Sequence, residues 1–300
     1  MPVSPRLRAR RGVTLTELMI GIVLAAIISA AVVRVLTNQQ RFYVKASQTI
    51  DGRSQVRQAL ALLPPELASV TPSLGELREV LDTAIDFRST IGAGVACTVN
   101  SSGGGRTLEL APMRTDSLAL SGFTTAPQVG DTLAILNDST GVFLDVGVTA
   151  VDSATTYCAA GTFSNAPAGT MRYRLSIAEA LNAFAFPNGT AVRVTRRVRY
   201  SLYQSASDNK WYLGRRVQQA GSTALGGIQM VSGPYAPPVA NTGGGLMFRY
   251  YDATGAVVPT ASPALTARVD IAVRGDSARL STGVRPTETD SVSISLRNRF

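Results

Sequence analysis

The chain of 300 residues contains no histidine at all. That absence removes the usual general base, the usual pH switch and the commonest metal ligand together, so enzymatic and metal-centred readings start at a disadvantage. Charged residues make up only 16% of the chain, and cysteine is reduced to Cys97 and Cys158. What is plentiful is apolar content, at 45%, with 27 glycines and 15 prolines. The apolar content is ample for a core and rules out a disordered chain. Past residue 90 the apolar residues come in short runs between Gly, Ser, Thr, Asn and Asp clusters, which is how β-rich extracellular domains read.

The formal net charge is +9, yet Arg6, Arg8, Arg10 and Arg11 all lie in the first dozen residues. Much of the basicity is therefore a topology signal rather than a sign of an acidic partner. Directly after these arginines, the stretch 13–33 reads VTLTELMIGIVLAAIISAAVV, with Glu17 as its only charge and Arg34 after it. A transmembrane helix needs about 20 such residues. A cleaved secretory signal peptide shares the basic start and has small residues like Ser29, Ala30 and Ala31 near its end. Two properties weigh against it: the apolar run is longer than an h-region, and a carboxylate near its start is costly to insert and useless in a discarded peptide. In a chain exported in this way, a single disulfide between Cys97 and Cys158 is the natural pairing.

The segment Arg10-Arg11-Gly12-Val13-Thr14-Leu15-Thr16-Glu17-Leu18 resembles the class III signal of type IV prepilins: a short basic leader ending in Gly, then a mature chain whose fifth residue is Glu. The resemblance implies cleavage between Gly12 and Val13 by a prepilin peptidase, N-methylation of Val13, and a role for Glu17 in subunit assembly. Val13 stands where the family usually has Phe, and Arg34 where major pilins often carry a kinking proline, which favours a minor component. The second half carries another resemblance. Val198-Arg199-Tyr200-Ser201-Leu202, Trp211-Tyr212-Leu213-Gly214-Arg215-Arg216, Phe248-Arg249-Tyr250-Tyr251-Asp252-Ala253-Thr254-Gly255, Val269-Asp270-Ile271-Ala272-Val273 and Ser295-Leu296-Arg297-Asn298 follow one another as in the PilW family of minor pilins and the related J pseudopilin of type II secretion.

Beyond the apolar run, Leu36, Tyr43, Ala46, Ile50, Val56, Leu60, Leu63 and Leu67 keep helical spacing, with Gln39, Gln40, Arg41, Lys45, Gln48, Arg57 and Gln58 opposite. The pattern predicts one helix over 13–63, weakened at Gly52 and ended or bent at Pro64-Pro65. A second helix is expected over 74–87, its carboxylates Glu76, Glu79, Asp82 and Asp86 forming a solvated face. Strands are expected at 96–99, 106–110, 132–136, 142–151, 171–177, 191–203, 211–217, 227–231, 246–251, 267–273 and 291–297. A turn at 205–209 makes 191–217 a hairpin.

Several motifs are weighed against plainer readings. The glycine runs 101–105 and 243–245 lack the Lys-Ser or Lys-Thr of a phosphate loop and read as loops. Asn137-Asp138-Ser139-Thr140-Gly141 lacks the ligand spacing of a calcium loop and reads as a turn. Arg193, Arg197 and Arg199, near Tyr203, Trp211 and Arg215, have the composition of a nucleic-acid strip, but a solvated strand face is the preferred reading.

The expected architecture is thus α+β, a long N-terminal helix on an antiparallel β-rich head. Its organisation is a leader over 1–12, a transmembrane segment over 13–33, an amphipathic continuation over 34–70 and a head over 71–300. Within the head, 85–170 reads as a β insertion short of apolar residues and pinned by Cys97 and Cys158. The expected role is a minor pilin that primes or caps a filament. The alternatives are a type II secretion pseudopilin and a membrane-anchored periplasmic binding domain or enzyme. The resemblance implies as partners other pilins, the prepilin peptidase and the inner-membrane assembly platform. No catalytic residue, cofactor or metal is expected, and the location is the inner membrane with the head in the periplasm, then the filament.

Overall fold

The computed structural model describes residues 13–100, 105–112, 120–158, 170–181, 185–239, 244–275 and 289–296. The leader, Gly12, Arg297 and Asn298 lie outside the described residues. The chain opens with α1 (Leu15–Ala68), continuous over 54 residues. Its first half is exposed throughout, and burial begins only at Gln48, continuing through Gly52, Gln55, Val56, Ala59, Leu63 and Leu67. Of the two outcomes expected at Pro64-Pro65, an end or a bend, the helix does not end there, and it runs close to the expected limit at residue 70. Both prolines sit inside its last turns, where Leu63 and Leu67 are fully buried. Two missing backbone donors that close to the end are outweighed by this packing. Tyr200 adds to the hold on the turn, its hydroxyl donating to Glu66 Oε1 at 2.9 Å.

The strands are β1 (Leu77–Leu81), β2 (Ala84–Asn100), β3 (Thr107–Leu110), β4 (Gly122–Phe123), β5 (Thr132–Asn137), β6 (Val142–Ala154), β7 (Arg172–Ile177), β8 (Ala191–Gln204), β9 (Trp211–Val217), β10 (Gln229–Tyr235), β11 (Leu246–Tyr251), β12 (Arg268–Arg274) and β13 (Thr289–Ser295). All pairings between them are antiparallel. The architecture is α+β.

The helix expected over 74–87 is instead β1, a turn at Asp82-Thr83 and the start of β2. Gly75, at φ 69°, takes the left-handed conformation that a helix interior excludes. Leu77 and Val80 of β1, with Ile85 and Phe87 of β2, then turn inward to the core.

Two cores result. The first packs the buried face of α1 against β1, the start of β2, the end of β8, β9, β10 and the separate sheet β11-β12-β13, with Phe87, Tyr200, Tyr235, Phe248 and Tyr250 as its large members. The second lies farther along β2 and β8. There the ladder runs β2-β3-β7-β6-β5-β8 and returns to β2, so six strands among the described residues close on themselves. Ile91, Leu108, Leu110, Leu133, Ile135, Val146, Val148, Leu175, Ile177, Val192 and Val194 fill the ring. The expectation that this part is short of apolar residues is wrong: strand alternation gathers short runs scattered over a hundred positions into one interior. The Asn137–Gly141 segment is the turn it was expected to be, with Asn137 Oδ1 accepting from the Ser139 and Thr140 amides.

Candidate functional site: the N-terminal helix and its junction with the head

At the start of α1 the side chain of Thr14 accepts from the Glu17 amide at 3.3 Å, while the Glu17 carboxylate accepts from the Thr14 amide at 3.1 Å and the Thr14 hydroxyl at 3.0 Å. This reciprocal capping box satisfies backbone donors that the first turn of a helix otherwise leaves open. The resemblance implies a role for Glu17 toward other subunits; the structure also gives it a partner in its own chain, signalled in the sequence by Thr-x-x-Glu ahead of an apolar run. Glu17 is thereby folded back to the residue next to Val13, so the expected cleavage point and the expected assembly residue share one turn.

From Leu15 onward α1 is apolar enough to cross a membrane, and the most apolar window has none of its residues buried. Val13, Leu18, Met19, Ile22, Ile27, Ile28 and Val33 are each more than half exposed. A helix with an apolar surface all round needs lipid or other helices about it.

The junction with the head is built for close approach. Tyr235 in β10 donates its hydroxyl to the Gln55 carbonyl at 3.0 Å and shares a second hydrogen bond of 2.6 Å with Ser232. Burial pushes the Tyr235 phenol up to about 12, so it stays a donor.

The arginines of β8 do not form an open basic strip. Arg193 pairs with Glu76 and also donates to the Ser69 carbonyl at 3.0 Å. Arg197 meets Asp86 at 2.6 Å, and Arg199 pairs with Glu79 and lies 3.7 Å from Asp86. These are the carboxylates expected on a solvated helix face; as part of the β1–β2 hairpin they become counter-ions instead, with Glu76 and Asp86 fully buried. Burial pushes the Glu76 carboxyl above its usual range against the opposing pull of Arg193 and the Thr71 amide. The nucleic-acid reading of Arg193, Arg197 and Arg199 thus loses the uncompensated charge on which it depended. Arg196 reaches Asp131 with two bonds of 2.7 and 2.8 Å, and Asp131 has no exposed surface.

Cys97 and Cys158 are bonded to each other, with Cα atoms 5.7 Å apart. Glu109 lies beside them and accepts from the Cys158 amide at 2.7 Å and from Arg174. Burial pushes its carboxylate up, but the Cys158 amide and the Arg174 guanidinium outweigh that and hold it below the usual range. The two sulfurs and this carboxylate are close enough together for metal ligands, but the sulfurs are spent in the disulfide.

The decisive likeness is at the N-terminus. Residues 7–33 match the prokaryotic N-terminal methylation motif. The match covers the second half of the leader with Arg8, Arg10 and Arg11, then Gly12, Val13, the Thr14–Glu17 box and the apolar run. The chain therefore carries a type IV prepilin-like N-terminus on a membrane-anchor helix, and the motif implies processing by a prepilin peptidase and assembly with other pilins. No curated protein and no solved structure matches the chain.

Proposed function

We propose that this protein is a minor pilin: cleaved between Gly12 and Val13, methylated on Val13, held as a single-pass protein of the inner membrane with its head in the periplasm, and then drawn into a type IV pilus, which it primes or caps. The observation that carries the reading is the continuity of α1. One helix begins at the methylation motif, stays bare over its apolar half and becomes buried in a β head over its second half. The segments that resemble the PilW family supply β8, β9, β11 and β12, which support the choice of a minor pilin, and the reading assigns no catalytic step to the head. The ring of β2, β3, β5, β6, β7 and β8 is then an elaboration carried at the far end of the pilin-like lobe, overlapping the proposed 85–170 insertion.

In this reading Glu17 has two successive partners. In the free subunit it caps its own helix through Thr14. In the filament it faces the Val13 amine of a neighbour displaced along the helix axis by about 6 Å, the rise of four residues. Mass spectrometry of protein from the native host, together with its abundance in sheared pili, tests the proposal. A chain starting at methylated Val13 and present in pili at a low ratio to the main subunit is expected. An intact Met1 or a start near Ala31 overturns it.

A further inference from the structure

Between the apolar span and Gln48, the first buried residue of α1, the helix carries Arg34, Arg41 and Lys45, all exposed. Among the described residues none of the three is held in an ion pair. At about 100° per residue they fall within about 40° of one another around the helix. Gly52, Val56, Ala59 and Leu63, which pack into the head, continue the same face. The cations thus look out into the space between head and bilayer. Phe42, about 80° round the helix from Arg34, and Tyr43, on the opposite face at the same depth, are 72% and 79% exposed, with no core to enter.

The axial distances give these residues a common address. From Val13 to Lys45 is about 48 Å of helix at 1.5 Å per residue, against about 40–45 Å for a bilayer with both headgroup layers. With Val13 at one interface, Arg34 reaches the far edge of the hydrocarbon. The run Arg41-Phe42-Tyr43-Val44-Lys45, about 42–48 Å from Val13, stands just outside the far headgroup layer, close enough for its long side chains, or a modest tilt of the helix, to bring it to the phosphates. Helical Cα–Cβ bonds tilt toward the N-terminus, so the long Arg41 and Lys45 side chains lean back toward the bilayer.

We propose that Arg34, Arg41 and Lys45 form a binding surface for the phosphates of anionic lipids in the leaflet beneath the head, with Phe42 and Tyr43 fixing its depth. The proposal rests on the membrane-anchored reading of α1. Carboxylates of a neighbouring subunit are the competing occupant. Glu76, Glu79, Asp86, Asp131 and Asp145 are paired within the head, whereas Asp51 and Asp138 are exposed and in no ion pair among the described residues, so the test carries a separate outcome for them. The surface holds an unassembled subunit at one height in an anionic bilayer, and entry into a filament must strip those lipids from it.

The test places the full chain in phosphatidylcholine vesicles and compares, by electron paramagnetic resonance, the association of spin-labelled phosphatidylglycerol and phosphatidylcholine with the protein. A charge near an anionic surface contributes about fivefold per Lys or Arg. The wild type should therefore favour the labelled phosphatidylglycerol at least fivefold more than does Arg34→Gln/Arg41→Gln/Lys45→Gln, and the difference should shrink in 1 M salt. The triple variant keeps the leader arginines, so their contribution cancels in the comparison. Equal ratios for the two proteins overturn the proposal. Equal ratios with loss of the variant from filaments assign the cations to a neighbouring subunit instead. A chain that fails to float with vesicles overturns the underlying anchor reading, and that is seen before any lipid ratio is measured.

Discussion

Gly52 in α1 and Gly275 after β12 meet backbone to backbone: a Cβ on Gly275 would lie 2.9 Å from the Gly52 carbonyl oxygen and 3.3 Å from its Cα. Gly52, expected to weaken the helix, is where a backbone segment of the head approaches it closely enough to leave no room for a side chain on Gly275. Gly275 also bridges to Tyr235, whose hydroxyl bonds the next turn of α1. Gly275→Ala forces two backbones apart and should cost about 1–3 kcal/mol, the range for overpacking a tight contact. Thermal unfolding of the detergent-solubilised chain reads it, and an unchanged midpoint would show that the approach is not tight in solution.

Among the described residues Arg196 and Asp131 form the most enclosed ion pair, joining β8 to the segment that enters β5. Removing one member leaves a buried charge alone, which costs about 3–5 kcal/mol. Arg196→Ala should therefore destabilise more than Arg199→Ala, whose partner Glu79 is partly exposed. Paired denaturant titrations decide the order, and equal losses would mean that water reaches Asp131.

Glu109 gives the ring an acid sensitivity of known sign. Its folded carboxylate is held below the usual range, so its contribution is complete above the ordinary value near 4.5 and is lost as pH falls through the lowered one. Stability of the oxidised protein should drop between about pH 5 and 3, and Glu109→Gln should flatten that drop. Superimposable pH profiles for variant and wild type would remove Glu109 as the cause.

Glu17 can be dissected by two substitutions. Glu17→Gln keeps an acceptor for the Thr14 amide but no charge, whereas Glu17→Ala loses both. If the carboxylate answers a neighbour's amine, both variants should be cleaved normally yet be depleted at least tenfold from filaments. Normal incorporation of Glu17→Gln alone would confine the role of Glu17 to capping.

Sequence pattern gave way to structure at identifiable places. In β8, Val192, Val194, Val198, Tyr200 and Leu202 alternate with polar neighbours, interrupted only at Arg196, which marks a half-buried strand; β9 and β11 are legible instead as short apolar and aromatic runs bounded by turn residues. Across 74–87 the carboxylates happen to fall three or four apart, which mimics a helix face. Their actual spacing answers arginines more than a hundred residues away, which no local window contains. The ring is hidden for the same reason, since β3–β7 and β5–β8 join segments far apart in the chain. The cysteine pairing was legible because only two cysteines exist. The Thr14–Glu17 cap is written in the sequence as Thr-x-x-Glu ahead of an apolar run, but the same carboxylate is also the acidic residue of the prepilin signal, so one position carries two roles.

The closure of β2, β3, β7, β6, β5 and β8 bears on how copies of this protein tolerate one another. Chains confined to the plane of a membrane collide constantly, and an unpaired strand edge is the surface most prone to stick irreversibly in such collisions. A closed ring offers none. The edges that remain on the described head are blunted: β10 carries Pro234 and two breaks in its register, β1 is only 5 residues long, β11 is covered by the Asp82 turn and by Val257-Val258, and β13 turns threonine, aspartate and serine outward. Heads of this design can be stored at high density without zipping into aggregates, which leaves the choice of neighbour to the bare helix.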